Sequence, residues 1–177
     1  MARDNEYGNA IFLLSEEEMK TEQVLEDIKT VAKIFSENPE YAKLLDTPAI
    51  SKGDRCALID EAFSSLDEYV RNLIKMLCEK RCVYSFSEVE KTFVKLYDTS
   101  RGIERVEAIT AVPMTDAQTL SLKEKLEAMT NKTVIIKNTV SPDILGGVKL
   151  RYGNVQLDTS LKTRLEKFEE SLKMKIV

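Results

Sequence analysis

Residues Ser141–Leu172, SPDILGGVKLRYGNVQLDTSLKTRLEKFEESL, read as a strand, a two-residue turn, a second strand and an amphipathic helix. Val148, Leu150 and Tyr152 alternate with Lys149 and Arg151, the two-residue period of a strand that turns one face to a core. Gly153-Asn154 suits a tight hairpin turn, because glycine takes positive φ without steric cost. Such a turn sets the register: Tyr152 opposite Val155, Leu150 opposite Leu157, and Arg151 opposite Gln156 on the other face. Leu150 is therefore expected on the buried face and Lys149 on the exposed one. Asp158 or Ser160 can cap the next helix by accepting from its free N–H groups. Leu161, Leu165, Phe168 and Leu172 then form one apolar stripe along that helix.

Moving toward the N-terminus, Val106, Ala108, Thr110 and Val112 predict a strand ended by Pro113. Thr115 and Gln118 form a capping box for a helix carrying Leu122, Leu126 and Met129. Thr133–Val140 is β-branched and apolar enough for another strand. Before about residue 103 the pattern is helical throughout. The first helix starts near Asp4, with Tyr7, Ala10, Ile11 and Leu14 as its stripe and Phe12 and Leu13 widening the apolar surface. Thr21 is a candidate cap for a second helix bearing Val24, Leu25, Ile28, Val31, Ala32 and Phe35. Asn38-Pro39 opens a short third helix with Tyr41, Leu44 and Leu45, which stops before Pro48. Ser51 with Asp54 opens a fourth helix with Ile59, Ala62 and Phe63. Asp67 caps a fifth, with Val70, Leu73, Ile74 and Leu77 facing inward. Ser85 and Glu88 suggest a capping box for a sixth, bearing Val89, Phe93, Leu96 and Tyr97. The expected fold is a six-helix bundle over residues 1–102, then a small α/β domain over 103–177 with a β-hairpin and a final helix.

The C-terminal run resembles the signature of the delta subunit of F-type ATP synthase, called oligomycin-sensitivity-conferring protein in mitochondria. Gly146, Gly147, Arg151, Gly153, Asp158, Ser160, Arg164 and Leu165 fit that signature. Ser141 stands where the family usually has Asp, and Asn154 where its turn has Asp. Tyr7-Gly8-Asn9-Ala10-Ile11-Phe12 resembles the family's opening Tyr-Ala-x-Ala-Leu-Phe, and Arg71-Asn72-Leu73 through Lys80-Arg81 resembles its fifth helix and the turn after it. Cys82 stands where the family often repeats Arg.

The resemblance implies a noncatalytic stator, or peripheral stalk, subunit that resists rotor torque during ATP synthesis coupled to ion transport. It implies that residues 1–102 hold an N-terminal helix of an alpha subunit and that residues 103–177 hold the ends of the b subunits. It places the complex at the cytoplasmic face of the cell membrane, this chain being peripheral. Tyr7, Ala10, Ile11, Asn72 and Met76 match the family's groove for the alpha-subunit helix, between the first and fifth helices. The plainer alternative is that Tyr7 and Met76 complete the core of the bundle.

Composition narrows the other classes. The chain has 177 residues, 43% hydrophobic, with net charge −4, which argues against nonspecific nucleic-acid binding by the whole molecule. Residues 1–30 carry net −5 and residues 128–177 net +4, read either as solvated helix faces or as ends that meet different partners. With three cysteines, no histidine and no P-loop, the sequence offers no zinc ligand set, no imidazole base and no phosphate cradle. No cofactor is expected, and the run Ala10–Leu14 is too short for a membrane span. Two competing classes are an enzyme using carboxylates and a soluble adaptor binding nucleic acid through its basic C-terminal end. Turnover by the purified chain would favour the first, and steeply salt-dependent RNA affinity the second.

Overall fold

A computed structural model describes residues 2–48, 50–142, 144, 146–152 and 155–158. The chain divides into two compact units, the first ending at Asp98 and the second beginning at Thr99. The first unit is helical: α1 (Ala2–Glu17), α2 (Thr21–Glu37), α3 (Pro39–Asp46), α4 (Lys52–Ala62), α5 (Glu68–Glu79), a 3-10 turn (Val83–Ser85) and α6 (Phe86–Ser100). Helix α5 is its hub and touches α1, α2, α3, α4 and the turn. Its amphipathic spacing explains this role, since Val70, Leu73, Ile74, Leu77 and Cys78 are all buried along one side. Asp67 caps it by accepting from the Tyr69 N–H at 2.9 Å.

Aromatic side chains tie the outer helices to the core. Phe35 meets Phe63 and Phe86 edge-on, and Phe12 meets Phe93 in the same way at 5.5 Å. This last contact corrects the expected stripe of α1. Gly8, Ile11, Phe12 and Ser15 face inward, while Leu14 is 43% exposed. Gly8 is the cause: a Cβ there would lie 2.7 Å from the Thr92 Cβ, so the missing side chain lets α1 settle against α6 and turns Phe12 inward.

Other local expectations changed for similar reasons. Thr21 does not cap α2; it is buried, and its hydroxyl donates to the Ser15 carbonyl at 3.2 Å. Asn38 donates back to the Ile34 carbonyl rather than capping α3, and Ser85 belongs to the 3-10 turn. Ala62 is exposed. The Ser51 cap of α4 forms as expected, its hydroxyl accepting from the Asp54 N–H.

The second unit contains β1 (Ile103–Thr110), α7 (Asp116–Thr130), β2 (Thr133–Val140), β3 (Val148–Tyr152) and β4 (Val155–Asp158). These strands form one sheet in the order β2-β1-β3-β4, with β1 parallel to β2 and the remaining pairs antiparallel. The hairpin register is the expected one: Tyr152 opposite Val155, Leu150 opposite Leu157 and Arg151 opposite Gln156. Alternation in β1 also holds, with Val106, Ala108 and Thr110 buried, but Val112 lies beyond the strand and is exposed. Thr115 and Gln118 close their capping box on α7, while Met129 is exposed. Leu150 and Lys149 are both half-buried, so the two faces of β3 differ less than their chemistry suggests. The lysine's aliphatic stem can cover sheet surface while its charge reaches water. Gly153, Asn154, Ser160 and the expected final helix lie outside the described residues.

Candidate partner-binding site

Helix α5 presents a second face opposite to its core stripe. Asn72 and Met76, four residues apart, stand one turn above the other, and both are exposed, Met76 by 50%. Tyr69 lies beside them, half-buried against the core, with the Lys20 ammonium 5.8 Å from its ring centre. Lys20 also reaches Asp67 at 3.5 Å, and the Asp67 N–H donates to the Asp27 carboxylate at 2.7 Å. These contacts anchor the start of α5 to α2 and to the residue preceding it.

Helix α1 packs against α5. Its Tyr7 is half-buried against the core, and its Ala10 is exposed. Ile11 departs from expectation. It is only 4% exposed and belongs to the core, so its side chain has no surface to offer a partner. Leu13, 58% exposed, and Leu14 leave apolar surface on α1 where the apolar spacing predicts an inward stripe and its margin. Exposed apolar side chains on α1 and an exposed methionine on α5 are therefore carried by two helices in contact. The reading of Met76 as core does not hold.

Toward α4 the surface becomes charged. Lys75 pairs with Asp60 at 2.6 Å, Arg71 with Asp60 at 3.6 Å, and Lys52 with Glu79 at 2.8 Å. Hydrogen bonding between the last two raises the Lys52 pKa and lowers that of Glu79. Asn72 and Met76 also line a cleft of about 230 Å³, together with Lys52, Arg55, Cys56 and Lys75 among others. Burial pushes the Cys78 thiol up, consistent with an inert side chain that donates to the Leu45 carbonyl. A larger cleft, about 660 Å³, lies between α2, α3 and the 3-10 turn, with Phe35, Ala42, Val83 and Tyr84 among its walls. No spacing in the sequence announces this cleft; Pro39 and Pro48, at the two ends of the α3 segment, both line it.

In the second unit, Gly147 has φ 87°, a value that explains glycine at that point of the signature. Arg151 reaches Glu107 across the β1–β3 pair at 3.4 Å, and Glu107 accepts from the Thr139 hydroxyl at 2.9 Å. Asp158 is the last residue of β4, in register with Lys149. Among the described residues, no three of His, Cys, Asp and Glu gather as metal ligands, and no helix is long and apolar enough to cross a membrane.

Residues 4–172 match the family model for the ATP synthase delta (OSCP) subunit. The chain belongs to this family. The ATP synthase subunit delta of Clostridioides difficile (strain 630) is 32% identical over 95% of this chain and 94% of that protein. That of Geobacillus sp. (strain WCH70) is 31% identical, over 94% of each. A chain in the Toxoplasma gondii mitochondrial ATP synthase hexamer shares the fold, with TM-score 0.73 at 20% identity and 96% of both chains covered. Family membership makes the chain a structural part of the ATP synthase complex, of the peripheral-stalk kind, rather than its catalytic part. The nucleic-acid alternative gains nothing from these likenesses.

Proposed function

We propose that this chain ties the catalytic head of an F-type ATP synthase to its membrane sector, with the helical unit on the head and the α/β unit on the ends of the b subunits. The helical unit receives an N-terminal helix of an alpha subunit along α1 and α5, where Tyr7, Ala10, Asn72 and Met76 contribute, and Leu13 and Leu14 extend the apolar surface. Helix-in-groove recognition needs an apolar strip bordered by polar groups, and a methionine adapts to the shape of its guest. The observation that carries this reading is the exposure of Met76 and Leu14 on two adjacent helices whose core stripes are already complete without them. Ile11 supports the groove from beneath rather than lining it.

The α/β unit carries the C-terminal signature, and its basic end suits a partner other than that of the acidic N-terminal end. The work is mechanical: a turning rotor drags the head around unless a static contact restrains it, so large interfaces serve better than a pocket. The complex lies at the cytoplasmic face of the cell membrane, with this chain peripheral to it.

Purifying the ATP synthase head with and without this chain tests the proposal. The chain should co-elute with the head, and a head lacking it should hydrolyse ATP without coupling to ion movement when returned to membranes. A head that neither binds the chain nor needs it for coupling would refute the role.

A further inference from the structure

Arg55, on the first turn of α4, is 9% exposed. Its Nη1 donates to the carbonyls of Leu45 at 3.2 Å and Cys78 at 3.3 Å and lies 3.8 Å from the Cys78 Sγ. Its Nε is buried without a partner, and among the described residues no carboxylate pairs with it. A guanidinium stays protonated in proteins, so this is a nearly buried cation with no carboxylate in direct contact, the nearby Glu79 being bound to Lys52 instead. With Nη1 engaged and Nε covered, Nη2 is the donor that remains unbonded and not buried, and a charge-assisted bond from it can hold a carboxylate oxygen.

Arg55 lines the cleft of about 230 Å³ between α4 and α5. The other cations there already have partners, Lys52 in Glu79 and Lys75 in Asp60. Three cations and one carboxylate, Glu79, line the cleft, making it net positive in a chain of net charge −4. The space falls below the roughly 300–1,000 Å³ of small-molecule sites but admits a side chain. Asn72 and Met76 form part of the same wall, and Met76 supplies an apolar, adaptable surface for a methylene stem. A free inorganic anion would leave that apolar surface unused.

We propose that the cleft takes the carboxylate of an acidic side chain on the helix docked along α5, so that the docked segment must carry Asp or Glu facing Arg55. This rests on the helix-docking reading above and adds to it a charge requirement on the partner.

Isothermal titration of the full chain with the N-terminal segment of its own alpha subunit tests it. The peptide is made with its native acids and again with every Asp and Glu replaced by Asn and Gln. One charge-assisted contact should make the native peptide bind about 10-fold more tightly at low salt, the gap shrinking as salt is added. Arg55→Gln should close the gap. Asn72→Asp should also narrow it, by placing a carboxylate in the cleft from an exposed position, and it carries the test if Arg55→Gln fails to fold. Equal binding of both peptides by the native chain would overturn the carboxylate site and leave helix docking standing. Binding of neither peptide would overturn both. Inorganic phosphate titrated alone is the third arm. Phosphate binding that Arg55→Gln removes, together with equal binding of the two peptides, would assign the site to a free anion instead.

Discussion

Among the described residues, nineteen buried apolar side chains form the core of the helical unit, whereas in the α/β unit only Val106, Ala108 and Val134 are comparably buried. Helix α7 buries none of its side chains, and β3 is half-buried or exposed along its length. In the helical unit, side-chain packing fixes how each helix sits. Among the described residues of the sheet, backbone register is the contact seen most fully, with β1 paired to both β2 and β3. The same substitution should therefore cost different amounts in the two units.

Phe93→Ala should show the largest effect. Phe93 is fully buried and meets Phe12 edge-on, so its loss should destabilise the helical unit by about 3–5 kcal/mol in denaturant unfolding. Gly8→Ala comes next. Alanine gains about 1 kcal/mol of helix propensity, but a Cβ 2.7 Å from Thr92 must displace α6. Overpacking of about 1–3 kcal/mol should win, giving a net loss that Thr92→Ala relieves only in part, because alanine keeps the Cβ at 2.7 Å and removes only the Cγ2 at 2.8 Å. In the sheet, Leu150→Ala should cost about 1 kcal/mol, because the side chain is only half-buried. Lys149→Ala should change stability by about 0.5 kcal/mol or less. If Leu150→Ala costs as much as Phe93→Ala, the contrast between the units is wrong.

The elements most legible in the sequence were those whose signal is short-range. The Thr115–Gln118 capping box, the Asp67 and Ser51 caps and the hairpin register each depend on a few neighbouring residues, and each formed as read. Features set by another helix were not legible. The inward turn of Phe12 depends on Thr92 of α6 meeting Gly8, and nothing in the α1 sequence announces that contact. Thr21 has the chemistry of a cap, but the carbonyl of Ser15 is nearer to hand. At the candidate site, the spacing lines Asn72 and Met76 up beside the core stripe of α5, and both are exposed. Ile11 was misplaced because spacing alone cannot say which edge of a wide apolar stripe a neighbour covers. Arg55 gave no sign at all, since an arginine on a short helix reads as solvated until α3 and α5 close over it.

The central claim is that the outer face of α5, centred on Met76, receives the alpha-subunit helix. Met76→Glu tests it directly, because a half-exposed position tolerates a carboxylate that a core position would not. Titration with the alpha N-terminal peptide should lose measurable binding in the variant, while the melting temperature stays close to that of the native chain. A folded Met76→Glu protein that binds the peptide with native affinity would contradict the account.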